Sequence, residues 1–245
     1  METLPLEVVI EITIHVAATS DQPMDDLCNL RATCRLLHCA CSHCAVGRRV
    51  ALLRCWEDME WYQPDRYYSL LHLLVGVGNP EASMLRGILD FFGGAGGLPS
   101  HPSLDELSRA ATGGLNVAAY LYAVMLYRNV GGTADDDIAK MYVRRVEGEE
   151  GTVASGSIGP MKLGNFGCRE CRGDAVYLVW RITWCKAGDA LPPAPVHGEF
   201  PCAGGGCGFP NGWGQAMLFC SEDCRLRHEI VLVLNNVLPA YAGLK

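Results

Sequence analysis

GNPEASMLRGILDFFGG (residues 78–94) and GLNVAAYLYAVMLYRNVGG (residues 114–132) align at a fixed offset, Gly78 falling on Gly114. Ala82 falls on Ala118, Leu85 on Leu121, Gly87 on Ala123, Ile88 on Val124 and Phe91 on Tyr127. Each copy is followed by a second helical pattern, SLDELSRAAT (103–112) and DDDIAKMYVRRVE (135–147). An apolar helix, a turn and a second helix at this period describe stacked helical hairpins. Small residues at 82, 87, 118 and 123 let the paired helices approach closely. The fold class expected is mainly α. Asp135, Asp136 and Asp137 are acids at a helix start, where the helix dipole alone favours them.

The hairpin pattern, above all GGTADDDIAKMYVRRV (131–146), resembles the Sel-type relatives of tetratricopeptide repeats. That resemblance implies a concave surface for a protein partner and no catalytic group. FFGGAGGLPSHP (91–102) is a loop between helices and lacks the Gly-Lys-Ser/Thr ending of a phosphate cradle.

The chain has 245 residues, 49% hydrophobic and 19% charged, enough to bury a core. A formal net charge of −7 disfavours nucleic acid and anionic lipid as partners. No basic, cleavable leader follows Met1, and VVIEITIHVAA carries Glu11 and His15, so no membrane span is expected. The expected location is cytoplasmic, nuclear or both. In such a reducing compartment the 13 cysteines read as metal ligands or buried thiols rather than disulfides.

Those cysteines form two groups. Cys28, Cys34, Cys39, Cys41, Cys44 and Cys55 lie in or just beyond a helical pattern. Cys34 and His38 are one turn apart, but buried thiols on a closely packed helix are the simpler reading. The second group runs Cys202-x4-Cys207-x12-Cys220-x3-Cys224. Two close pairs separated by a dozen residues suit a closed tetrahedral site for a structural Zn2+. Ser221 is placed to cap a helix running through SEDCRLRHEIVLVLNNVL, so a treble-clef-like subdomain is expected. Cys168, Cys171 and His228 are further candidate ligands. AVYLVWRITW (175–184) reads as a strand, a short β element beside this knuckle. EGEEGTVASGSIGPMKLGNFG (147–167) and KAGDALPPAPVHGEF (186–200) read as linkers.

At the N-terminus, Leu4-Pro5 leads into an apolar stripe of Val8, Val9, Ile12 and Val16. DDLCNLRATCRLLHCACSH (25–43) reads as one amphipathic helix with Leu27, Leu30, Cys34, Leu37 and Cys41 at helical spacing. VGRRVALLRCW (46–56) closes the unit. An apolar stripe of this kind fits either a partner or an internal core.

Leu-Pro, an amphipathic helix, Asp-Leu-x-Asn-Leu-Arg-x-Thr-Cys-Arg and a closing Val-x-Arg-Arg-Val resemble an F-box. The whole arrangement resembles a plant F-box family with Sel-type repeats and a C-terminal cysteine knuckle. The resemblance implies an F-box-like domain at 2–50, repeats at 51–148, a linker at 149–167 and a zinc-knuckle subdomain at 168–240. It also implies docking on the Skp-type adaptor of a cullin ubiquitin ligase, with an unidentified protein as target. By that similarity Leu4, Pro5, Val8, Val9, Ile12 and Val16 would face the adaptor, completed by Leu27, Leu30 and Cys34. No Gly-x-Ser-x-Gly, His-Glu-x-x-His or dinucleotide loop is present, and no catalytic residue is expected. The rival expectation is a zinc-stabilised helical-repeat interaction module acting without a ligase.

Overall fold

A computed structural model describes residues 4–93, 103–129, 132–149, 163–183, 207 and 217–237, with the side chains of 235 and 237 left aside. The linker expected at 186–200 and most of that at 147–167 lie outside these residues, as does Cys202. Among the described residues the protein is almost wholly helical. The chain divides into two compact units, Met1–Arg86 and Gly87–Lys245.

The first unit starts with α1 (Leu6–Thr19), capped by Pro5, whose carbonyl accepts from Val8 and Val9 N–H. A proline ahead of the first turn sacrifices no helical hydrogen bond. α2 (Pro23–Thr33), α3 (Arg35–Cys41) and α4 (Cys44–Gly47) pack around α1. The single helix expected over 25–43 is therefore two. Cys34 takes extended backbone (φ −158°, ψ 165°) between them, and its carbonyl starts α3 by accepting from His38 N–H. A straight helix would have kept Leu27, Leu37 and Cys41 on one stripe; the break abolishes that register. The expectation of buried thiols fails with it: Cys28, Cys34, Cys39 and Cys44 are exposed, while Cys41 and Cys55 are half-buried.

Val46, Val50, Leu52 and Trp56 are buried and close this unit. Ala51 N–H bonds Ala17 O at 2.9 Å, and Arg54 bonds the Thr19 and Ser20 carbonyls that end α1. A 3-10 turn (Leu52–Arg54), α5 (Trp56–Tyr62) and α6 (Pro64–Val77) follow. α7 (Pro80–Phe92) begins in the first unit and ends in the second. Asn79 fixes its start: Oδ1 accepts from Ala82 N–H, while Nδ2 donates to the Gly47 and Val50 carbonyls.

In the second unit α8 (Asp105–Thr112) and α10 (Thr133–Val146) both pack on α9 (Asn116–Asn129). α9 is buried all round, from Ala118 through Arg128 with Tyr122 alone half-buried. A helix with no polar face has to be central, and α9 is. The 36-residue offset from Gly78 to Gly114 has a structural counterpart. Both glycines take positive φ (82° and 100°) where one helix ends and the next begins, a conformation an L-residue resists. At Gly87 a β-carbon would lie 2.8 Å from Leu107 Cγ, so the small residue there is required by a neighbouring helix.

The strand expected over 175–184 is a helix as far as Thr183, where that run of described residues ends. α11 (Phe166–Thr183) buries Cys168, Cys171, Ala175, Leu178, Val179 and Ile182, a stripe at three- and four-residue spacing that packs on α9. Packing on α9 overrides the β preference of Val, Tyr and Trp. Glu147 caps this helix, accepting from Gly167 and Cys168 N–H. The last described helix, α12 (Glu222–Val237), packs on α9, α10 and α11. Extended pairing among the described residues is a single antiparallel bridge between Leu163 and Phe219, with both N–H···O distances 2.8 Å. No described helix is long and apolar enough to cross a membrane.

Candidate functional site

Cys220 precedes α12 and Cys224 lies in its first turn, so the helix start places their sulfurs together at 3.5 Å. Cys207 completes a cluster whose three sulfurs lie within 4.8 Å of one another. Cys220 N–H donates to Cys207 Sγ at 3.1 Å, the backbone-to-sulfur bond that steadies a thiolate ligand. Ser221 caps the helix as expected, accepting from Cys224 N–H at 3.2 Å. The Ser221 hydroxyl favours the Cys224 thiolate. Burial and the neighbouring Cys220 outweigh it, and the Cys224 thiol is raised above its ordinary range. A bound cation would share the charge of the Cys224 thiolate and favour loss of its proton. The three cysteines are close enough to hold a metal ion.

The other candidate ligands stand elsewhere. Cys168 and Cys171 are buried in α11 and are not in the cluster. Burial pushes both thiols up, Cys171 to about 11. His228 is half-buried beside Phe219, with Nε2 2.8 Å from Met217 Sδ, and burial lowers its pKa. Among the described residues none of the three joins the cluster.

Polar residues in the first turns of α12 hold that helix to its neighbours. Glu222 pairs with Arg144 of α10 through two bonds of 2.5 and 2.6 Å. Asp223 receives Lys140 at 2.8 Å and the Tyr127 hydroxyl at 2.9 Å. Arg225 is fully buried and reaches Glu149 and the Gly164 carbonyl. Glu229, also fully buried, accepts from Tyr120, Arg172 and Asn165. Asn165 Oδ1 in turn accepts from Met217 N–H, tying down the approach to Cys220. The one sequence signal was spacing: Arg225, Leu226, Glu229 and Val233 form a helical stripe, and all four are buried.

In the first unit, the N-terminal candidates separate by burial. Leu4, Pro5, Val8, Ile12 and Cys34 are exposed, joined by Leu6, while Val16 and Leu30 are half-buried. Val9 and Leu27 face inward at 4% and 7% exposure and belong to the unit's own core, so neither offers a docking contact. Thr13 shares that inner face, its hydroxyl donating to Val9 O at 2.8 Å. α1 thus has a buried inner face, and on its outer side exposed Val8 and Ile12 lie among Glu7, Glu11 and His15.

No protein-family model, no curated protein and no solved structure matches this chain.

Proposed function

We propose that the protein is the substrate-recruiting adaptor of a Skp–cullin–F-box type ubiquitin ligase. In this reading α1 docks on the Skp-type adaptor, the helical hairpins take the target, and the cysteine cluster holds a structural Zn2+. The protein itself is not catalytic.

The observation that carries the reading is the outer face of α1. Val8 (43%) and Ile12 (48%) stand in solvent on a helix whose opposite side already supplies its core contacts, and Leu4 (58%), just ahead of that helix, is exposed with them. Exposed aliphatic residues repeated along one helix suit burial against a partner. Zinc is the ion favoured at the cluster because thiolate ligands of this number form closed structural sites for it, with Cys202 as the fourth ligand.

The test is co-purification with a Skp-type adaptor, with zinc quantified on the same sample. Wild type should bind, and Val8→Asp and Ile12→Asp should each abolish binding while leaving the fold intact. Retention of binding in both variants removes the docking face. A chain that carries zinc yet binds no adaptor is instead a zinc-stabilised helical-repeat interaction module acting without a ligase.

A further inference from the structure

We infer that the ion held by Cys207, Cys220 and Cys224 locks the whole α9-centred unit, so that its gain and loss close and open the helices packed on α9. This rests on the metal reading given above.

Cys224 shares the first turn of α12 with the clamps, and Cys220 lies just ahead of it. Glu222 and Asp223 lie between Cys220 and Cys224 in sequence, and they hold Arg144 and Lys140 of α10 and Tyr127 of α9. The next residue, Arg225, is fully buried against Glu149 and the Gly164 carbonyl. One turn further, fully buried Glu229 draws together Tyr120 of α9, Arg172 of α11 and Asn165. α12 is therefore a wall of the bundle, in contact with α9, α10 and α11, rather than an appendage.

Without a cation Cys207 keeps the Cys220 N–H bond to its Sγ but loses the ion shared with Cys220 and Cys224, and the first turn of α12 loses that anchor. The clamps on that turn loosen together, because they act on one rigid segment. α9 has no face suited to water, so loosening the α12 wall exposes apolar side chains of α9 on that side. Buried Glu229 deepens the effect, because a buried charge separated from its partners is strongly unfavourable. Linkage makes the coupling reciprocal: whatever weakens the clamps must also weaken the ion's binding.

The experiment uses the full-length protein with zinc bound. Zinc content is measured first, then amide hydrogen exchange is followed by mass spectrometry before and after EDTA treatment. Removing zinc should speed exchange in the α9 peptide (116–129) by about tenfold or more, as it does in α12. In the variant Lys140→Ala/Arg144→Ala, which leaves every cysteine in place, zinc affinity by competition with a chromophoric chelator should fall about tenfold. Zinc loss that alters exchange only within residues 217–237, or an unchanged affinity in the variant, overturns the lock and leaves the metal site standing. A protein that carries no zinc and takes up none on titration overturns the metal reading and the lock together.

Discussion

The Tyr120 hydroxyl donates a 2.7 Å hydrogen bond to Glu229 Oε2, joining the centre of α9 to α12 across 109 positions of chain. Both residues are fully buried, and Arg172 supplies the charge that makes the carboxylate tolerable there. Burial and the neighbouring Glu229 together push the Tyr120 hydroxyl well above its ordinary range, so it stays a donor at any working pH. Removing one neutral donor should differ sharply from removing the acceptor. Tyr120→Phe is expected to cost about 1–2 kcal/mol in urea unfolding. Glu229→Ala, which takes from Arg172, Tyr120 and Asn165 the acceptor they share, is expected to cost about 3–5 kcal/mol. Equal losses in the two variants would show that the carboxylate is not the hub.

The start of α11 depends on a close approach. A β-carbon at Gly167 would lie 2.1 Å from the Val146 carbonyl oxygen, and backbone cannot yield as a side chain does. Gly167→Ala should destabilise the second unit by about 1–3 kcal/mol, the usual scale of overpacking. Gly173 is in the same helix with no neighbour within 4 Å of such a carbon. Gly173→Ala should stabilise by about 0.5–1 kcal/mol through helix propensity. Opposite signs in thermal unfolding would establish that contact, not composition, dictates glycine at 167.

What the sequence disclosed followed from periodicity. The offset between Gly78 and Gly114 was visible because a left-handed helix end admits few residues other than glycine. Cys207, Cys220 and Cys224 were visible because ligand spacing is local. α11 was missed because Val, Tyr and Trp suit a strand, and because Cys168 and Cys171 were weighed only as possible ligands and not as the first members of a buried stripe. The clamps at Arg225 and Glu229 were missed for a different reason. A charged residue at a core position is identified only by its partners, and Glu149, Arg172 and Tyr120 are distant in sequence.

The two faces of α1 predict different failures for adjacent residues. Val9 is in the core and Val8 is in solvent. Val9→Asp buries an unpaired carboxylate and should unfold the first unit, lowering the melting temperature and losing every property of that unit. Val8→Asp should leave the melting temperature within a degree or two of wild type, the usual range for a surface change. A Val8→Asp protein that melts as early as Val9→Asp would place the outer face in the core after all.

Glu81 gives the first unit a pH dependence of calculable sign. Its carboxylate accepts from Leu53 N–H at 2.8 Å, yet burial outweighs that bond and raises its pKa above the usual carboxylate value. In the window between the ordinary value of about 4.5 and the raised one, the folded chain holds a proton that the unfolded chain has lost. Stability from this group therefore increases as pH falls through the window, and above it the burial penalty is constant. Glu81→Gln keeps an acceptor for Leu53 and carries no charge. The variant should be more resistant to urea than wild type at pH 7, with the gap narrowing towards pH 5. A gap that widens as pH falls would mean that the Leu53 bond and nearby Arg54 outweigh burial, and that the ionised form is the one the fold prefers.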